Sequence, residues 1–282
     1  MNLVTWGVSP WGQPIILHAA WHLLWYALIA GVAFVLAHAA WVLLRPSPAP
    51  GPGSVGASGT ADALPRRIVR HSLPARIFHW VMATAMLVLL GTAFLPKAGL
   101  PFDWVGAHVW AGAVLLAAIA FHVVHALCCM DFRAIWPTPG DLGELRGIID
   151  PPQFAKVADG PVRRPGKYPL GNKLYHLALV AVGLTLAATG LALLVRVPTP
   201  FLPHAPHSLF DDAGWGAVYA LHGLAGLSLV ALVIIHVYFA LRPEKRPITL
   251  SMLTGAMDRD YYLTHHDPER WRVDASPPPI TQ

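Results

Sequence analysis

From Gly214 to Leu241 the chain runs without one charged side chain, yet it carries two histidines, His222 and His236. A stretch of that length and composition crosses a bilayer as one helix, for which about 20 apolar residues suffice. Fourteen residues separate the two rings. At about 100° per residue this spacing comes within roughly 40° of four full turns, so both imidazoles share a helix face, about 21 Å apart along its axis. A titratable ring in hydrocarbon is costly unless it has a partner, and marks a functional site by default.

Four further runs are long and apolar enough to span: Ile15–Leu44, Ile77–Pro96, Trp104–Met130 and Leu174–Val195. The whole chain is 55% hydrophobic and only 12% charged, against about 25% charged in soluble domains. No segment alternates with period two, which argues against a transmembrane barrel. The expected fold is an all-α integral membrane protein, a four-helix transmembrane bundle plus one extra N-terminal transmembrane helix. That extra helix occupies residues 1–45. A Pro/Gly/Ser/Ala-rich stretch within 46–75 reads as a flexible cytoplasmic linker. The four-helix core follows at 76–245, and 246–282 is a polar cytoplasmic tail.

The net charge of +5 is not a nucleic-acid signal, because its distribution follows the membrane. With the N-terminus outside, 18 of the 20 basic residues fall in inside segments, and only Lys97 and Arg196 lie outside. The positive-inside rule therefore predicts N-out, C-in, in a bacterial cytoplasmic (inner) membrane. No basic n-region precedes the first apolar run, so that helix is expected to be retained. Cys128 and Cys129 have no metal or disulfide spacing and read as two small buried apolar side chains.

Of fifteen histidines, His18, His22, His71, His204, His207, His265 and His266 fall at or near helix ends, where hydration accounts for them. The membrane-embedded set is His38, His79, His108, His122, His125, His176, His222 and His236. Two rings stacked about 21 Å apart on one helix suit two haems, one near each membrane surface. His108, soon after Asp103, is the well-embedded partner for His222 in the outer layer. In the inner layer His236 has His79, His122, His125, His176 and His38 as conceivable partners, and spacing alone does not choose among them. His122 even repeats the fourteen-residue interval after His108. Arg76 lies one turn before His79, where a guanidinium meets haem propionates. Gly112 follows His108 by four residues, and Gly223 and Gly226 follow His222 by one and four. Such glycines let a flat macrocycle approach a helix backbone.

The segments PARIFHW (74–80), AHVWAG (107–112), KVADG (156–160), GKYPLGNK (166–173), LHGLAGLSLVALVIIHVYFAL (221–241) and HHDPERW (265–271) together resemble the di-haem cytochrome b (gamma) subunit of respiratory formate dehydrogenases. Wider relatives are the cytochrome b subunits of nickel–iron hydrogenases and thiosulfate reductases. The resemblance covers about residues 70–275. It implies axial ligands His108 and His222 for the outer b haem, and His79 and His236 for the inner one. It also implies menaquinone or ubiquinone reduction beside the inner haem, near His236 and the 166–173 loop. An iron–sulfur subunit and a molybdenum or tungsten catalytic subunit would be the partners. Pro169 stands where the family loop typically offers a polar side chain. His122 and His125 are not family ligands, and residues 1–65 have no counterpart in the four-helix pattern.

An iron with two axial histidines has no open position, so it carries electrons and does not activate oxygen. The expected role is a membrane-anchoring electron-transfer subunit with no substrate chemistry of its own. Tyr168, Asn172, His125 and His176, with Asp150 and Asp159, are candidates for quinone positioning or proton relay. His38 on the added helix is a conceivable ligand of a third haem. A haem-free transporter or pure membrane anchor is the rival from another class. Near-absence of intramembrane carboxylates and of broken-helix repeats argues against it.

Overall fold

The computed structural model describes residues 4–8, 10, 12, 14–19, 22–44, 64–141, 164–197, 199, 205 and 209–273. Residues 46–63, the KVADG segment, Asp150, Asp159, His204 and His207 lie outside the described residues, as do the side chains of His18 and His22. Among the described residues, five helices are long and apolar enough to cross a membrane. They are α1 (His22–Leu44), α2 (Leu73–Phe94), α3 (Val105–Cys129), α4 (Leu170–Leu194) and α5 (Asp212–Leu241). Their starts obey local chemistry. The Ser72 hydroxyl accepts from the Ala75 N–H at 3.4 Å ahead of α2, and the Asp211 carboxylate accepts from the Gly214 N–H at 2.8 Å at the head of α5. Each satisfies a donor that the first turn leaves open.

Two compact units partition the chain. The first comprises Met1–Ala37, Phe78–His122 and Leu177–Tyr238. Its buried positions on α2, α3 and α5 include Ala85, Ala111, Ala118, Ala225 and Leu229, mostly small residues that let helix backbones approach. Large apolar side chains such as Leu36, Leu87, Val114 and Leu184 point outward. An apolar surface of that extent is stable against lipid and not against water.

The expected first helix from Ile15 begins later. Pro14–Ala19 is a strand, β2, paired antiparallel with β1 (Val4–Val8). A short apolar run fits strand or helix equally, and here the β-branched Val4, Thr5 and Val8 supply a partner for it. The hairpin and α1 both rest on α5. A Cβ on Gly216 would meet the Ile16 backbone N at 3.1 Å, and one on Gly31 would meet the Ile234 Cδ1 at 3.2 Å.

The second unit comprises His38–Ile77, Val123–His176 and Phe239–Gln282. Here residues 64–75 of the expected linker and 246–273 of the expected tail carry structure. Strand β3 (Arg67–Val69) pairs antiparallel with β4 (Ala256–Asp258), Ile68 opposite Met257. Helices α6 (Arg246–Thr254) and α7 (Arg259–His265) flank β4. Gly255 ends α6 at φ 86°, its N–H donating to the Ser251 carbonyl, a left-handed cap that glycine adopts at least cost. Ile68, Met257 and Tyr262 form a small core. Cys128 and Cys129 differ from expectation: both side chains are exposed on α3.

Candidate functional site

The first unit gathers four of the embedded histidines into two pairs. His108 on α3 faces His222 on α5 with ring centres 6.3 Å apart, and His79 on α2 faces His236 on α5 at 6.4 Å. These distances carry chemical meaning. A metal–imidazole bond of about 2.0–2.1 Å, plus about 1.1 Å from ring nitrogen to ring centre on each side, sets two axial rings about 6.2–6.4 Å apart. Direct hydrogen bonding between imidazoles is not what these pairs display.

Ring orientation in the first pair is fixed from behind. The Thr92 Oγ1 lies 2.8 Å from the His108 Nδ1, and the Thr189 Oγ1 lies 2.8 Å from the His222 Nδ1. Each hydroxyl has already spent its proton on a carbonyl one turn back: Thr92 donates to Val88 at 2.7 Å and Thr189 to Thr185 at 2.6 Å. A hydroxyl that donates to that carbonyl presents only lone pairs to the ring, an arrangement that favours the Nδ1–H tautomer and leaves a lone pair on Nε2. Thr92 and Thr189 escaped sequence reasoning, because a threonine in an apolar helix ordinarily satisfies itself by back-bonding. Their one signal is a glycine beside each, Gly91 and Gly190.

Space beside the rings is consistent with a planar ligand. Among the described residues, a Cβ on Gly112 or Gly223 would meet no atom within 4 Å, and one on Gly226 would touch only Phe94 at 3.8 Å. The His122 ring instead lies flat on Phe78, with centres 4.1 Å apart and planes 9° apart. The donor set, its spacing and the open backbone beside it therefore fit a bis-histidine haem at each pair. His79 differs from His108 and His222 in one respect: its Nδ1 is buried with no hydrogen-bond partner among the described residues.

Within the second unit the remaining candidates take other places. Arg76 donates through Nη1 to the Leu253 carbonyl, while its Nε is buried without a partner among the described residues. The His38 Nδ1 sits 3.1 Å from the Arg242 Nη1 and its ring meets the edge of Phe239. The His176 Nδ1 is buried and unpartnered. His125 is on α3 and Asn172 is exposed in the first turn of α4, its N–H bonded to the Pro169 carbonyl. The Arg70 guanidinium, 3% exposed, stacks over Tyr168 at 5.5 Å and Trp271 at 5.4 Å. Burial pushes the Tyr168 hydroxyl above its ordinary value, against the pull of Arg70.

The 166–173 loop is bolted to the tail. Asp141 accepts from the Lys173 ammonium at 2.8 Å and the Arg270 guanidinium at 2.5 Å. Burial pushes its carboxyl up, but the Lys173 and Thr138 hydrogen bonds outweigh burial and hold it at about 2. The His266 Nδ1 meets the Gly166 carbonyl at 2.7 Å, and the Asp267 N–H donates to the Pro165 carbonyl at 2.9 Å. Burial lowers His266 to about 4, although the Gly166 bond opposes it. The HHDPERW segment thus closes on the loop that carries Lys167 and Tyr168.

Comparison with known proteins places these features in a family context. The family model described as prokaryotic cytochrome b561 matches residues 70–255. The cytochrome b556 subunit of formate dehydrogenase from Haemophilus influenzae is 26% identical over 182 residues, covering 62% of this chain and 71% of that protein.

Proposed function

Because the chain belongs to the prokaryotic cytochrome b561 family and is a multi-pass membrane cytochrome b, we propose that it holds two b haems, one between His108 and His222 and one between His79 and His236. The observation that carries this is the pair of facing imidazoles at 6.3 and 6.4 Å. When bound, two such haems supply one-electron carriers with no open coordination position. The polypeptide orients and buries them. Thr92 and Thr189 fix the His108 and His222 rings, and Gly112, Gly223 and Gly226 leave room at the helix backbone. Arg76, three residues before His79 in the sequence, is the candidate for a haem propionate.

The partner reading follows the formate dehydrogenase relative. We take the chain to be the membrane-anchoring subunit of a formate dehydrogenase complex in the bacterial inner membrane, N-terminus outside. An iron–sulfur subunit with a molybdenum or tungsten catalytic subunit is the electron donor, and menaquinone or ubiquinone the acceptor. Tyr168 ahead of α4 and Asn172 in its first turn, with His125 and His176, position the quinone or pass protons to it.

The test is a pyridine haemochrome count on the purified chain with its dithionite-reduced minus oxidised spectrum. Two b haems are expected, with one lost in His108→Ala and the other in His79→Ala. A count of none, or a loss of neither haem in these variants, overturns the assignment. Quinone reduction by the complex is expected to vanish in His79→Ala; its survival would remove the quinone from that pair.

A further inference from the structure

We infer that Thr92 and Thr189 are positioning residues that lower the reduction potential of the centre between His108 and His222. This rests on the bis-histidine reading above. The geometry is the same on both sides: hydroxyl oxygen 2.8 Å from the imidazole Nδ1, hydroxyl proton turned to a carbonyl of the threonine's own helix. Such a partner does two things to an axial imidazole. It fixes the ring's rotation and tautomer, and by accepting from Nδ1–H it pushes electron density toward Nε2. A more basic axial nitrogen stabilises the oxidised iron over the reduced one, because the extra positive charge is the state that gains from donation.

Both hydroxyls are well placed for this. Each has carbonyl acceptors of its own helix one turn back, which leaves the oxygen's lone pairs for the ring. Thr92 is 6% exposed and Thr189 is 9% exposed, so water does not compete for the acceptor lone pairs, and a hydrogen bond is electrostatically stronger in such surroundings. Among the described residues the other pair lacks this device on one side, since the His79 Nδ1 is buried with no partner there. The threonines therefore act on one centre only. With the quinone at the other pair, as proposed above, they make this centre the readier to pass an electron on.

The experiment is a spectroelectrochemical titration of the full, haem-loaded chain and of Thr92→Val, Thr189→Val and the double variant. Valine keeps the shape and removes the acceptor. Each single variant is expected to shift the redox equilibrium of one haem toward the reduced form by about three- to tenfold, where tenfold is 59 mV for one electron. The other haem should stay at its wild-type midpoint, and serine at either position should restore the original value. If a valine variant fails to hold haem, cysteine at the same site, a weaker acceptor, is expected to shift the midpoint in the same direction by less.

Haem count and the low-spin electron paramagnetic resonance signal are read in parallel. Two retained haems with unmoved midpoints in the valine or cysteine variants would overturn the inference, as would equal shifts of both haems. A wild-type chain without two haems, or survival in His108→Ala and His222→Ala of the same component that moves in the threonine variants, would instead sink the ligand assignment beneath it.

Discussion

His266 is the residue at which pH should first be felt outside the membrane. Its ring is 1% exposed, and burial holds its titration at about 4, below the ordinary 6.5. An imidazole kept neutral in the fold but free to charge when unfolded stabilises fully above pH 6.5. That contribution is lost as pH falls from 6.5 toward 4, by on the order of 3 kcal/mol in all. Thermal melting of the second unit should therefore slope downward across this window, and His266→Leu should flatten the slope; an unchanged slope would mean the ring is hydrated. Asp141 behaves differently. Its depressed carboxyl, at about 2, contributes above pH 3.8 and is lost only as pH falls through about 2, so it is silent at neutral pH. Removing it is another matter. Asp141→Ala leaves the buried Lys173 and the partly exposed Arg270 without their carboxylate, and a loss of about 3 kcal/mol is expected by chemical or thermal unfolding.

Among the elements, the five helices were legible because uncharged runs of this length have one solution in a bilayer. Their ends were less so. Helix α4 begins at Leu170, short of which sequence reasoning stopped at the charge of Lys173; Asp141, 32 residues away, neutralises it. The β1–β2 hairpin was hidden inside an apolar run. The β3–β4 ladder was hidden by distance, since three-residue strands carry no periodicity of their own. The four paired histidines were legible from spacing and resemblance, whereas their threonine partners belong to other helices and leave no pattern along the chain. Two glycines test the elements directly. Gly216→Val forces a side chain into the Ile16 backbone and should displace the hairpin at a cost of about 1–3 kcal/mol, read as faster proteolysis within residues 4–19 with haem content unchanged. Gly255→Ala puts a Cβ 3.1 Å from the His71 carbonyl at φ 86° and should destabilise the second unit by about 1–3 kcal/mol; a melting point equal to wild type would remove the strain argument.

At the scale of the whole molecule, topology is the property that charge predicts. In a Cys128→Ser, Cys129→Ser background, Lys97→Cys should react with an impermeant maleimide added to intact cells. Arg246→Cys, exposed at the start of α6, should react only after permeabilisation; the reverse pattern would invert the chain. The β3–β4 ladder adds a constraint of another kind, in time. Arg67 bonds to Asp258 across 191 residues. At a synthesis rate of about 5–20 residues per second, roughly 10–40 seconds separate the emergence of the two strands. Until the second arrives, Ile68 has no core to enter and the loop at 166–173 has no tail to close it. A nascent chain can therefore insert its helices while this part is still open, and closure waits until residues 256–271 have emerged.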